Sequence, residues 1–132
     1  MPLYTFAMHK AFTLTLALLT FGGFALAQDE AEYKAWMKSL PPLVGSIRNA
    51  ADNAAAADAA NKLADAFEKV EMFWKSRHAD DAVKFAATGH EAAKAIAAGS
   101  GDKAANLQKI QGTCGGCHMA HREGTAPDFK IK

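Results

Sequence analysis

One short motif near the C-terminal end of the 132-residue chain constrains the rest most strongly. It reads Cys114-Gly115-Gly116-Cys117-His118, and its two cysteines are the only ones in the sequence. On a helical turn, two thiols at this spacing can each form a thioether with one vinyl group of a porphyrin, and the next imidazole reaches the iron. The motif therefore predicts covalent attachment of one haem c at Cys114 and Cys117, with His118 as the proximal iron ligand.

The first 27 residues have the layout of an export signal. Lys10 precedes an apolar run over residues 11–26, and Ala25-Leu26-Ala27 has the small-x-small pattern of a cleavage site. The run is shorter than the about 20 residues that span a bilayer. We therefore predict a signal peptide over residues 1–27 and a mature periplasmic domain over residues 28–132; a retained membrane anchor is the alternative. Export supports the haem interpretation, because bacteria attach haem c outside the cytoplasm.

Charge and composition exclude several classes of function. The chain carries 15 Lys and Arg against 14 Asp and Glu, and Lys10 is the only one of these in the signal, so the mature domain is neutral. No basic stripe predicts nucleic-acid binding, and no second apolar run predicts a membrane protein. No grouping of acid, base and nucleophile indicates a catalytic site, so we do not expect an enzyme.

Apolar periodicity predicts helices, and no segment alternates with the period of a strand. The first helix is predicted over residues 28–53, where apolar residues recur at spacings of three and four: Tyr33, Met37, Leu40, Val44 and Ile47. Pro41-Pro42 interrupts this segment. Because a proline removes a backbone donor and crowds the preceding turn, we expect a kink or a short break there.

Three further helices are predicted. The second runs from residue 58 to about residues 77–78, and residues 53–57 could be either loop or the start of this helix. The third follows a cap at Asp80-Asp81 and stops at residues 99–101. The fourth is capped by Asp102 and ends at Gly124, and residues 126–132 form a tail. Alanine and glycine dominate the apolar face of the third helix, which lets neighbouring backbones approach closely. Four amphipathic helices with short connections predict an all-α fold, an antiparallel four-helix bundle around the haem.

The mature chain resembles the cytochrome c′ family of class II c-type cytochromes, exported four-helix bundles with Cys-x-x-Cys-His on the last helix. Members commonly continue the motif with x-x-aromatic-Arg, and this chain continues Met119-Ala120-His121-Arg122. The arginine matches, whereas His121 stands where Phe or Tyr is usual and makes the proximal side more polar. The resemblance implies that Arg122 lies near the proximal face, where it screens a propionate or restricts access; a solvated surface arginine is the alternative.

The resemblance also implies that a residue of the first helix decides the function. Family members with an open iron site bind small gases, and members with a methionine at this position transfer electrons. Here the position is Met37, which lies on the apolar stripe eight residues before Gly45, a spacing similar to that in the family. A methionine ligand raises the reduction potential. The alternative is that Met37 only fills the core.

We therefore expect a single-haem electron carrier with His118 and Met37 as iron ligands and with transient redox proteins as partners. The alternative is a five-coordinate cytochrome c′ that binds nitric oxide or carbon monoxide, and the resemblance also allows a homodimer. A thiol–disulfide enzyme is disfavoured because such a site follows a β-strand. A zinc site is less favoured still, because its four ligands (Cys114, Cys117, His118 and His121) would all have to come from two helical turns. Other side chains are not expected to reach the iron: His78, His90, Met72 and Met119.

Overall fold

A computed structural model describes the backbone of residues 12–132 and the side chains of residues 29–132. This part of the chain is mainly helical, and its four α-helices are consistent with a four-helix bundle. They are α1 (Phe12–Arg48), α2 (Asn53–Ser76), α3 (Asp80–Ala97) and α4 (Lys103–His121). Two short antiparallel strands, β1 (Arg122–Glu123) and β2 (Lys130–Ile131), follow α4.

The chain divides into two compact units, residues 1–34 and residues 35–132. The basic start at Lys10 and the cleavage site at Ala27 lie outside the residues whose side chains are described, so the signal peptide stays a prediction. Among the described residues, none of the helices combines the length and the apolar character needed to cross a membrane.

The observed α1 differs from the predicted first helix. It begins upstream of residue 28, ends at Arg48, and continues through Pro41 and Pro42 without the expected break. Both prolines are exposed. The helix therefore continues without the two backbone hydrogen bonds that the missing N–H groups would have donated.

The starts of α2 and α4 depend on the same kind of aspartate cap. The Ala55 N–H donates to Asp52 Oδ1 at 2.7 Å, so the ambiguous segment after residue 52 is helical. The Ala105 N–H donates to Asp102 Oδ1 at 2.7 Å, and the predicted cap of the fourth helix is confirmed. Such side-chain caps satisfy N–H groups that have no partner within the helix.

Two other predicted boundaries are wrong. The cap of α3 is Ala79, which makes no side-chain bond, and Asp80 and Asp81 lie in the first helical turn. There their negative charges interact favourably with the positive end of the helix dipole, although neither side chain caps the helix. The last helix ends before Gly124, because the chain turns extended at Arg122 and pairs with β2.

One apolar core joins the four helices within residues 35–132. Its larger buried side chains come from every helix: Leu40, Ile47, Leu63, Phe67, Ile96, Leu107 and Ile110. Alanines supply much of the rest: Ala59, Ala60, Ala64, Ala66, Ala92 and Ala93. A Cβ atom at Gly89 of α3 would lie 2.6 Å from the ring of Phe67, so α2 and α3 approach closely, as their composition predicts.

Candidate cofactor-binding site

A cavity of about 390 Å³ lies within the unit formed by residues 35–132. This volume falls in the range of about 300–1,000 Å³ that is typical of ligand and cofactor pockets. All four helices contribute to its wall, and most of the wall is apolar: Met37, Leu40, Pro41, Val44, Gly45, Phe67, Val70, Phe85, Ala86 and Ile110. The bundle therefore holds a space that its own side chains leave unfilled.

The three reactive residues of the sequence motif line this cavity together. Cys114, Cys117 and His118 all belong to α4, and each is half-buried. The helical conformation predicted for the motif is confirmed. A wall containing two thiols and an imidazole at this spacing has the chemistry needed to attach a porphyrin and bind its iron.

The two glycines of the motif have different surroundings. A Cβ atom at Gly116 would lie 2.5 Å from the ring of Phe85, whereas one at Gly115 would meet no atom within 4 Å. Gly116 thus leaves room for an aromatic ring of α3 that also lines the cavity. The absence of a side chain at 116 has a packing reason, and the sequence pattern alone does not distinguish 116 from 115.

Both thiols are held in their protonated form near neutral pH. Burial raises the pKa of Cys114. Burial, followed by the negative charge of Asp81 and the neighbouring Cys114, raises the pKa of Cys117 to about 11. A thiol–disulfide enzyme needs a thiol whose pKa is lowered. The surroundings of these thiols are therefore unfavourable to that alternative.

His118 is held in its neutral form. Burial lowers the pKa of its imidazole, and the positive charge of Arg122 lowers it further. A neutral imidazole is the form that binds a metal ion. The Arg122 guanidinium carbon lies 4.0 Å from the centroid of the Phe129 ring, and Arg122 is not among the described residues of the cavity wall. A contact of Arg122 with a propionate therefore stays a prediction.

Met37 lines the same cavity from α1 and is half-buried against the core. Met37 of α1 and His118 of α4 therefore line the same cavity, although they lie far apart in the sequence. Gly45 lines the cavity too, and a Cβ atom there would meet nothing within 4 Å. Met72 and Met119 are 56% and 82% exposed, and neither belongs to the described wall.

Arg48, Gln111 and Thr113 complete the wall and were not predicted as site residues. Arg48 is the only lysine or arginine among the described residues of the wall. Its position could have been found from helical spacing, because Arg48 continues the row formed by Met37, Pro41 and Val44 at intervals of three and four. Gln111 lies three residues before Cys114, on a part of α4 that carries no chemical motif.

His121 makes a contact that sequence spacing did not predict. Its Nε2 lies 2.8 Å from Asp81 Oδ2 on α3, and its ring centroid lies 4.7 Å from that of Trp74 on α2. The hydrogen bond with His121 is the main cause that lowers the pKa of Asp81. The only signal in the sequence was that His121 stands where the cytochrome c′ family, which the chain resembles, usually has Phe or Tyr; this departure does not indicate which residue His121 contacts.

Within the described part of the chain, no three His, Cys, Asp or Glu side chains group together as ligands for a metal ion, so the zinc alternative gains no support. Comparisons of the chain with family models, curated proteins and solved structures found no match.

Proposed function

We propose that the chain is an exported c-type cytochrome similar to the cytochrome c′ family. In this proposal one haem c is attached at Cys114 and Cys117, and the protein carries single electrons between partner proteins in the periplasm. The main support is that both cysteines, His118 and Met37 line one largely apolar cavity of the bundle.

The residues of the wall fit a haem in three respects. The protonated thiols of Cys114 and Cys117 can each add S–H across a vinyl C=C bond, and this addition needs no oxidant. The apolar side chains keep water from the faces of a porphyrin. Arg48 supplies a positive charge that suits a propionate carboxylate, since guanidinium–carboxylate pairs form strong, often bidentate hydrogen bonds.

A haem bound in this cavity supplies an iron that takes up and releases one electron. His118, kept neutral by burial, offers a nitrogen lone pair from α4. Met37 offers a thioether sulfur from α1, which favours a higher reduction potential than a second imidazole would. Leu40 and Ile110 are buried in the core and anchor the two helices that carry Met37 and His118.

The absorption spectrum of the exported protein tests this function. We expect covalently attached haem, sharp low-spin bands in the ferrous form, and no change on adding carbon monoxide. High-spin bands with ready binding of carbon monoxide would contradict the electron-carrier hypothesis. They would favour a five-coordinate, gas-binding protein in which Met37 is a core residue. Exported protein without covalent haem would overturn both. The C114A/C117A double variant is the control and should retain no covalent haem.

A further inference from the structure

A single side chain, His121, joins the last turn of α4 to two other helices. Its Nε2 lies 2.8 Å from the Asp81 carboxylate of α3. Its ring packs against Trp74 of α2 at 4.7 Å between centroids, with the two planes at 47°. The side chain of His121 is 18% exposed and that of Asp81 is 60% exposed, so the ring lies at the edge of the packed interior while the carboxylate reaches it from the solvent side.

The surroundings of His121 restrain it from several sides. Trp74 is only 3% exposed and meets Phe73 edge to face at 5.2 Å, so the ring beneath His121 is itself fixed. The backbone carbonyl of His121 accepts a hydrogen bond from the Lys132 N–H at 3.0 Å. His121 therefore supplies the packing surface of an aromatic residue, and its ring nitrogen adds a directional bond that Phe cannot make.

The contact between His121 and Asp81 lies at the end of α4 that also lines the cavity. Helices fray at their ends, because the last carbonyls have no partner within the helix. His121 is the final residue of α4, and Cys117 and His118 belong to the same final turn. Asp81 lies close enough to Cys117 for its charge to act on that thiol. A restraint at His121 thus acts on the turn that presents a thiol and the imidazole to the cavity.

We infer that the Asp81–His121 pair, backed by Trp74, is a positioning device that fixes the final turn of α4 and with it the directions of the Cys117 and His118 side chains. The effect on the iron rests on the proposed function, whereas the restraint on the turn does not. The competing explanation is an ordinary surface ion pair. Exposed pairs of that kind contribute little, and breaking one leaves the neighbouring backbone unchanged.

Amide hydrogen exchange in residues 117–121, measured on the protein as purified, tests the restraint. D81A removes the acceptor, and H121F keeps a ring on Trp74 while it removes the donor. Both should speed exchange in the last turn by roughly tenfold, the scale expected when a local hydrogen bond is lost. D81N keeps an acceptor oxygen and should recover most of the protection.

D80A is the matched control, because Asp80 is an exposed aspartate in the same first turn of α3. It should leave exchange in residues 117–121 at the wild-type rate. Equal exchange in D81A, H121F and D80A would overturn the inference. Faster exchange throughout the helices, instead of in the last turn alone, would also overturn it. If D81A fails to fold, the comparison of H121F with D81N decides the question.

A second readout separates positioning from a purely structural role. If haem is bound as proposed, the electron paramagnetic resonance spectrum of the ferric protein would report the spread of orientations of the His118 imidazole. We expect broader lines in D81A and H121F, and wild-type lines in D80A and D81N. Unchanged lines in all variants would overturn the claim about His118. Wild-type protein without covalent haem would contradict the proposed function instead, and hydrogen exchange would still decide whether the pair restrains the turn.

Discussion

At the scale of single residues, the function depends on what Met37 does in the cavity that it shares with His118. The side chain is half-buried and packs against the core cluster. A ligand and a core residue can occupy the same position, because methionine is flexible and apolar and its sulfur is a weak acceptor. Removal of the sulfur separates the two roles.

In the proposed electron carrier, Met37→Ala should convert the ferrous spectrum from low-spin to high-spin and allow carbon monoxide to bind, because the iron would lose its sixth ligand. Absorption spectra with and without carbon monoxide check this. Met72→Ala is the matched control, since Met72 is 56% exposed and lies outside the described wall. An M37A spectrum identical to that of the wild type would show that Met37 only packs in the core and does not bind the iron.

At the scale of elements, the close approach of α3 to α4 depends on the second glycine of the motif. A Cβ at Gly116 would lie 2.5 Å from the ring of Phe85, and the same atom at Gly115 would lie in open space. Gly116→Ala should therefore destabilise the fold by about 1–3 kcal/mol, the usual cost of overpacking. Gly115→Ala should be neutral or stabilising by up to about 1 kcal/mol, because alanine favours a helix.

Urea unfolding of the two variants at neutral pH checks this difference. The pair is well matched, since both changes add one methyl group to the same helical turn. Equal stability of G115A and G116A would show that the Phe85 ring moves aside without cost. The same comparison applied to haem content should give less attached haem in G116A, because Phe85 also lines the cavity.

The contact between Asp81 and His121 makes the junction of α3 and α4 sensitive to acid. The hydrogen bond lowers the pKa of Asp81 in the folded protein. Its stabilising effect is therefore complete above the unfolded value of about 3.9, and it is lost as the pH falls through the folded value. The stability difference between wild type and D81N should thus be largest near neutral pH and should shrink in acid.

Urea unfolding at neutral pH and at a series of acidic pH values measures this difference. D80N is the reference variant, because it removes one carboxylate from the same turn of α3 while the Asp81–His121 hydrogen bond stays intact. A difference between wild type and D81N that stays constant down to strongly acidic pH would contradict the lowered pKa of Asp81.

At the scale of the whole molecule, the cavity is a gap in the apolar core, and an attached porphyrin would fill it. The C114A/C117A variant, which cannot hold haem covalently, should therefore unfold at a lower temperature than the haem-containing protein. A loss of about 10–20 °C corresponds to a few kcal/mol in a domain of this size. Calorimetry of both forms checks this, and equal unfolding temperatures would indicate that the haem does not contribute to the core.

Much of this architecture followed from the sequence because it is encoded locally. Helical periodicity predicted the four helices, Asp102 was identified as a cap from its position before the last helix, and the motif was correctly placed on that helix. The periodicity predicted that the first helix resumes after Pro41 and Pro42 but also a kink or a short break at them, and α1 shows no break there. The pairing of His121 with Asp81 could not be predicted, because it joins side chains from two different helices.

Two exposed methionines can serve as an internal reference for the chemical accessibility of Met37. Met119 is 82% exposed and Met72 is 56% exposed, whereas Met37 is half-buried in the cavity wall. Mild peroxide converts accessible methionine to its sulfoxide, each addition leaving a mass increase that peptide mapping can locate. Met119 and Met72 should react before Met37 in every sample, so their oxidation calibrates the peroxide dose. The rate at Met37 then reports how far its sulfur is shielded.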